Sequence, residues 1–130
     1  DNALRAAKHV VMLATNHMQL TCDLLYVGQP FGFRVHAYRP SEQVAKMEGD
    51  EAHSALLGTQ SMLGAAGISY SVTRLEGDIA LQIVAHAKQA RCDLIIMGMR
   101  GMGLVVGPVS MGSVTSKVLH TADVPVTLVK

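Results

Sequence analysis

The chain has 130 residues, 49% of them apolar and 16% charged, which suits one domain and excludes collagen-like, disordered and disulfide-framework classes. Eleven Lys and Arg against ten Asp and Glu leave a net charge of +1, with no basic run, which argues against an electrostatic nucleic-acid or membrane-surface binder. Trp is absent and aromatics are 4%, too few for a base-stacking platform.

Leu4, Ala7, Val11, Ala14 and Met18 recur at helical spacing, so residues 4–18 are expected to form an amphipathic helix. The apolar run Leu20–Val27 predicts a strand, ended by Gly28-Gln29-Pro30. Residues 28–40, with Phe31, Phe33 and Tyr38 among Pro30, Gly32 and Pro40, read as a loop. Ser41 after Pro40 is a good helix start, and residues 42–65 are expected to be helical, kinked or loosened by Gly49, Gly58 and Gly64. Ser69–Leu75 alternates like a strand near a sheet edge. Gly77-Asp78 supplies a turn and an N-cap for a helix over residues 79–90. Asp93–Gly98 is nearly all apolar, as a central parallel strand should be. A glycine-rich loop over 99–112, a short helix over Ser113–Thr121 and a strand over Val124–Val129 complete the chain, with Pro125 near the strand's start, where a missing N–H is tolerated. This alternation predicts a single domain over 1–130: a doubly wound, open, parallel α/β sheet.

Cys22 and Cys92 sit beside apolar runs and read as reduced core thiols of a cytoplasmic protein. No Cys-x-x-Cys or His-x-x-x-His pair occurs, and the six scattered histidines read as surface or helix-flank residues, so no metal site is expected. No apolar stretch reaches about 18 residues, so no membrane span is expected. The opening residues Asp1–Ala7 lack a basic leader followed by an apolar run, so no signal peptide is expected either.

The segment from Gly98 to Thr115 carries the chemistry. It leaves the carboxyl end of a buried strand, where open parallel sheets bind ligands, and enters a helix. Glycines let a ligand approach the backbone and turn peptide N–H groups toward it. A helix start near Ser113 adds unpaired N–H groups and partial positive charge suited to phosphate, and Ser113 and Thr115 add hydroxyl donors. Arg100 is a candidate counter-charge. Gly107-x4-Gly112-Ser113 mimics a P-loop without its Lys, and Gly101-x-Gly103 lacks the third glycine of a dinucleotide motif.

Gly98-x2-Gly101, Gly112-Ser113-Val114-Thr115, Gly77-Asp78, Asp93-Leu94-Ile95-Ile96-Met97-Gly98 and Val124-Pro125-Val126 together resemble the universal stress protein family over essentially the whole chain. The resemblance implies a five-stranded Rossmann-like fold of the adenine nucleotide alpha hydrolase-like type. It also implies an ATP or AMP site, with Mg²⁺ accompanying the phosphates. Val27 and Met97 would lie against base and ribose, Gly98 and Gly101 under ribose and phosphates. Gly112, Ser113, Val114 and Thr115 would hold phosphate. Two departures stand out. The spacer Met102–Met111 has ten residues where the family motif has nine. The usual first central strand is missing from the sequence, which opens on the following helix; omission of upstream residues is the expected reason, and a strand supplied by a partner the other. The expected function is an adenine nucleotide-binding stress-response switch, at most a slow ATPase, dimerising through strand 124–129. The alternative is a homodimeric interaction protein of the same fold that binds no nucleotide, which the longer spacer favours. An unrelated enzyme on the same sheet lacks support, since neither His-x-Gly-His nor an acidic metal cluster occurs.

Overall fold

The computed structural model describes residues 2–16, 18–28, 41–99 and 112–130. In chain order these form α1 (Asn2–Thr15), β1 (Thr21–Gly28), α2 (Ser41–Ala65), β2 (Ser69–Glu76), α3 (Ile79–Gln89), β3 (Ile95–Gly98), α4 (Ser113–Thr121) and β4 (Val126–Val129). The aromatic loop residues Phe31, Phe33 and Tyr38 lie outside the described residues, as does nearly all of the glycine-rich segment.

All ladders are parallel. Thr21 of β1 pairs with Ser69 of β2 and the register runs to Gly28 opposite Glu76; Ile95 of β3 pairs with Val126 of β4 and runs to Gly98 opposite Val129. The expected parallel α/β architecture is present, in two halves: β1 pairs with β2, β3 pairs with β4, and no ladder joins β1 to β3 among the described residues.

Burial explains why β3 reads as almost continuously apolar. Successive side chains of a strand alternate between faces. Ile95 and Met97 therefore join one core layer, around Ala80, Ala87 and Val118 of α3 and α4. Ile96 joins the other, around Val10 of α1, Leu63 of α2 and Ile68. A strand covered by helices on both faces has no polar side to show. Leu63 and Val118 are fully buried, one in each layer.

Element ends follow local chemistry. Asp78 caps α3, its Oδ1 accepting from Leu81 N–H at 3.0 Å. The end of α2 is closed by Gly67 in the left-handed region (φ 71°), with Ile68 N–H donating to Leu63 C=O at 3.0 Å. The end of α3 closes the same way, Cys92 N–H donating to Ala87 C=O at 2.9 Å, but the left-handed residue is Arg91 (φ 54°). The helix expected over 4–18 stops at Thr15, because the last carbonyls are taken up locally: Thr15 Oγ1 donates to Val11 C=O and Asn16 Nδ2 to Met12 C=O. The last strand begins at Val126, two residues later than its sequence pattern indicates. Pro125 has no N–H and joins the ladder only as an acceptor, its carbonyl receiving Ile95 N–H at 3.0 Å. The glycines of α2 do not interrupt it; it runs unbroken from Ser41 to Ala65.

Candidate functional site

Strands β1 and β3 end at the glycines that the sequence singles out, Gly28 and Gly98. Val27 is half-buried one residue before the end of β1, opposite Leu75 of β2. Met97 is half-buried one residue before the end of β3, opposite Leu128 of β4, and packs into the α3–α4 core layer. Gly98 closes β3, and the ladder continues one step beyond it through Met99 N–H donating to Val129 C=O at 3.0 Å.

A helix that connects two parallel strands must run back along the sheet, so α4, lying between β3 and β4, opens on the carboxyl side of β3. Its N-cap is Gly112 (φ −59°, ψ 156°), which provides no side-chain hydrogen bond. Gly112 C=O already accepts from Ser116 N–H at 3.0 Å, so the amides of the first turn point outward without intrahelical partners. Ser113 is exposed, Val114 is half-buried against the core layer, and Thr115 is 2% exposed. No acidic side chain sits in this turn to compete for the amides. The result is a helix start whose unpaired amides suit an anion, on the carboxyl side of β3. Arg100, Gly101 and the spacer Met102–Met111 lie outside the described residues.

Gly98 has a neighbour that sequence reading missed. A Cβ at this position would stand 2.6 Å from Asn2 Cγ and 2.8 Å from Asn2 Oδ1, closer than side-chain atoms tolerate. Glycine is therefore required here by the approach of α1. Asn2 Oδ1 in turn accepts from Arg5 Nη2 at 2.7 Å. Arg5 Nε is buried and has no hydrogen-bond partner among the described residues. Nothing in the local sequence marks this arrangement, because Asn2 and Gly98 are brought together only by packing of α1 on β3.

A second polar cluster lies near the starts of β1 and β2. Ser71 Oγ donates to Asp23 Oδ1, and His86 Nε2 of α3 is 3.2 Å from Asp23 Oδ2. The hydrogen bond from Ser71 chiefly, and the nearby imidazole, hold the Asp23 carboxyl below its ordinary range. The serine meets the carboxylate rather than the imidazole, so the cluster has no nucleophile–base pair and acts as a clasp between α3 and the strands. His86 is thus a tertiary contact, where its sequence context gave only a helix-flank residue. Cys22 and Cys92 are free and half-buried, and burial pushes both thiols up. A shallow cavity of about 270 Å³ lies at the foot of α3, lined by Val84, Ala87, Cys92, Ile95 and Val124. It opens near the start of β3, away from Gly98. Among the described residues no group of three His, Cys, Asp or Glu could hold a metal ion, and no helix is long and apolar enough to cross a membrane.

The sequence profile of the Universal stress protein family matches residues 1–130. The chain belongs to this family. Universal stress protein MJ0531 of Methanocaldococcus jannaschii is 31% identical over 132 residues, spanning all of this chain and 76% of that protein. Among solved structures, the universal stress protein UspA from Lactobacillus plantarum superposes with a TM-score of 0.77 at 26% identity, covering 98% of this chain and 90% of that one. The universal stress protein from Archaeoglobus fulgidus in complex with dAMP has a TM-score of 0.68 at 20% identity, covering 100% and 89%. At that identity the likeness establishes the common fold. Family membership agrees with the parallel α/β topology and with the glycines at the strand ends.

Proposed function

We propose that this chain binds an adenine nucleotide, ATP or AMP, at the carboxyl ends of β1 and β3, and works as a nucleotide-dependent switch in a stress response. The observation that carries the reading is the start of α4: an uncapped first turn after Gly112, with an exposed Ser113, beside the end of β3. The dAMP complex of the Archaeoglobus fulgidus relative supports the ligand class. In this reading Val27 and Met97 flank base and ribose, and Gly98 and Gly101 underlie ribose and phosphates. Gly112, Ser113, Val114 and Thr115 meet phosphate mainly through peptide N–H groups, since Thr115 is buried. Arg100 adds counter-charge. The side chains present fit a nucleotide that brings Mg²⁺ on its own phosphates, the ion there neutralising phosphate charge. Asp78 is committed to capping α3, and without a side chain assigned as general base hydrolysis is at most slow.

The test is direct. Adenine nucleotide released from the purified protein on denaturation, and saturable binding of ATP with Mg²⁺, are expected. Gly112→Val should abolish binding, because a β-branched side chain fills the phosphate position. Normal ATP binding by that variant would refute the site. No saturable binding at millimolar ATP would favour the interaction-protein alternative. That alternative shares one element with the main reading: among the described residues β4 pairs only with β3, which supports a homodimer through residues 124–129. Sedimentation as a monomer at tens of micromolar would refute the dimer.

A further inference from the structure

We infer that Arg5 is an anion-contacting residue of this site, held in place by Asn2, and supplies positive charge to the phosphates of a bound adenine nucleotide; the inference rests on the nucleotide reading above. Arg5 lies in the first two turns of α1, the helix that packs on β3. Its Nη2 is 2.7 Å from Asn2 Oδ1, and that oxygen is 2.8 Å from where a side chain on Gly98 would begin. Asn2 thus joins the guanidinium to the carboxyl end of β3, the end from which the proposed ligand segment departs.

Among the described residues the bonding of Arg5 is incomplete. A guanidinium has five N–H donors and no acceptor, so only acceptors can satisfy it. One donor is used on Asn2, and Nε is the one buried side-chain nitrogen or oxygen without a partner among the described residues. Among them no carboxylate forms an ion pair with Arg5. A buried unmet donor is costly, and for a planar fork of donors the best remedy is a phosphate, which accepts two bonds at once. The competing role is a brace: the Asn2–Arg5 bond spans one turn and steadies the start of α1. A brace is blind to the charge of a ligand, and an anion contact is not.

Dissociation constants for adenosine, AMP and ATP with Mg²⁺ are compared for wild type, Arg5→Gln, Arg5→Lys and Asn2→Ala by titration calorimetry, with urea midpoints as the fold control. Arg5→Gln should weaken AMP and ATP by about tenfold or more, the factor for one lost charged hydrogen bond, and leave adenosine within about twofold. Arg5→Lys should lose less, and Asn2→Ala should shift AMP in the same direction by a smaller factor. Wild-type AMP affinity in a folded Arg5→Gln variant, or equal losses for adenosine and AMP, would overturn the inference while leaving the nucleotide reading intact. If Arg5→Gln does not fold, Arg5→Lys decides: unchanged AMP affinity and unchanged salt dependence refute the phosphate contact. A wild-type chain that binds none of the three ligands refutes the nucleotide reading and this inference with it.

Discussion

Replacing Gly98 by Ala perturbs the meeting of α1 with the end of β3. The new Cβ would stand 2.6 Å from Asn2 Cγ and 2.8 Å from Oδ1, with Asn2 Cβ also in contact. Rotating the amide away does not suffice, because Asn2 Cβ moves only with its backbone. The first turn of α1 must therefore shift, and overpacking of this kind costs about 1–3 kcal/mol. With a urea slope near 2 kcal/mol per M for a domain of this size, the unfolding midpoint should fall by roughly 0.5–1.5 M. Asn2→Gly removes the three atoms nearest to the new methyl. The double variant should recover most of the loss, giving a coupling of about 1 kcal/mol or more in a double-mutant cycle. A Gly98→Ala midpoint equal to wild type, or a double variant whose losses simply add, would refute the close approach of α1. The same variant should weaken AMP binding, since moving Asn2 carries Arg5 with it.

Leu63→Ala empties a fully buried position between α2 and the strands and should cost about 2–5 kcal/mol by chemical denaturation, with an unchanged midpoint counting against the core assignment. Asp78→Ala removes the α3 cap at 3.0 Å and should cost about 0.5–2 kcal/mol; the exposed Lys117 contact at 3.8 Å adds little, so Lys117→Ala should change the melting temperature far less. The carboxyl of Asp23 has its pKa lowered in the folded state, so its stabilisation is present above the ordinary carboxylate range and is lost as pH falls through the depressed value. Unfolding curves below neutral pH should accordingly be flatter for Asp23→Asn than for wild type, and parallel curves would remove the Ser71–Asp23–His86 clasp. Arg91→Gly relieves a left-handed residue at the end of α3 and should stabilise by up to about 1 kcal/mol, read as a higher urea midpoint.

Local rules made most of the elements legible. Helical periodicity found α1 and α3, and the Gly77-Asp78 pair found the α3 cap, because these depend on neighbours within a turn. Strand ends were less legible. A run such as Asp93–Gly98 tells where apolar burial is needed, while ladder pairing starts only at Ile95, where Pro125 C=O is within reach. For the candidate site, the glycines at 98 and 112 were evident as backbone signals, and the reason for the first was not.

From its own order of residues the chain determines an alternating α/β domain and an uncapped helix start beyond a buried strand, since periodicity, turn chemistry and N-cap preference act over a few residues. Only the tertiary structure decided that the described strands pair as β1 with β2 and β3 with β4 and that Thr115 is interior. Packing likewise brought His86 to Asp23, and Asn2 with Arg5 to Gly98. Those partners are separated by tens of residues and meet through burial of apolar faces, a force that has no direction along the chain.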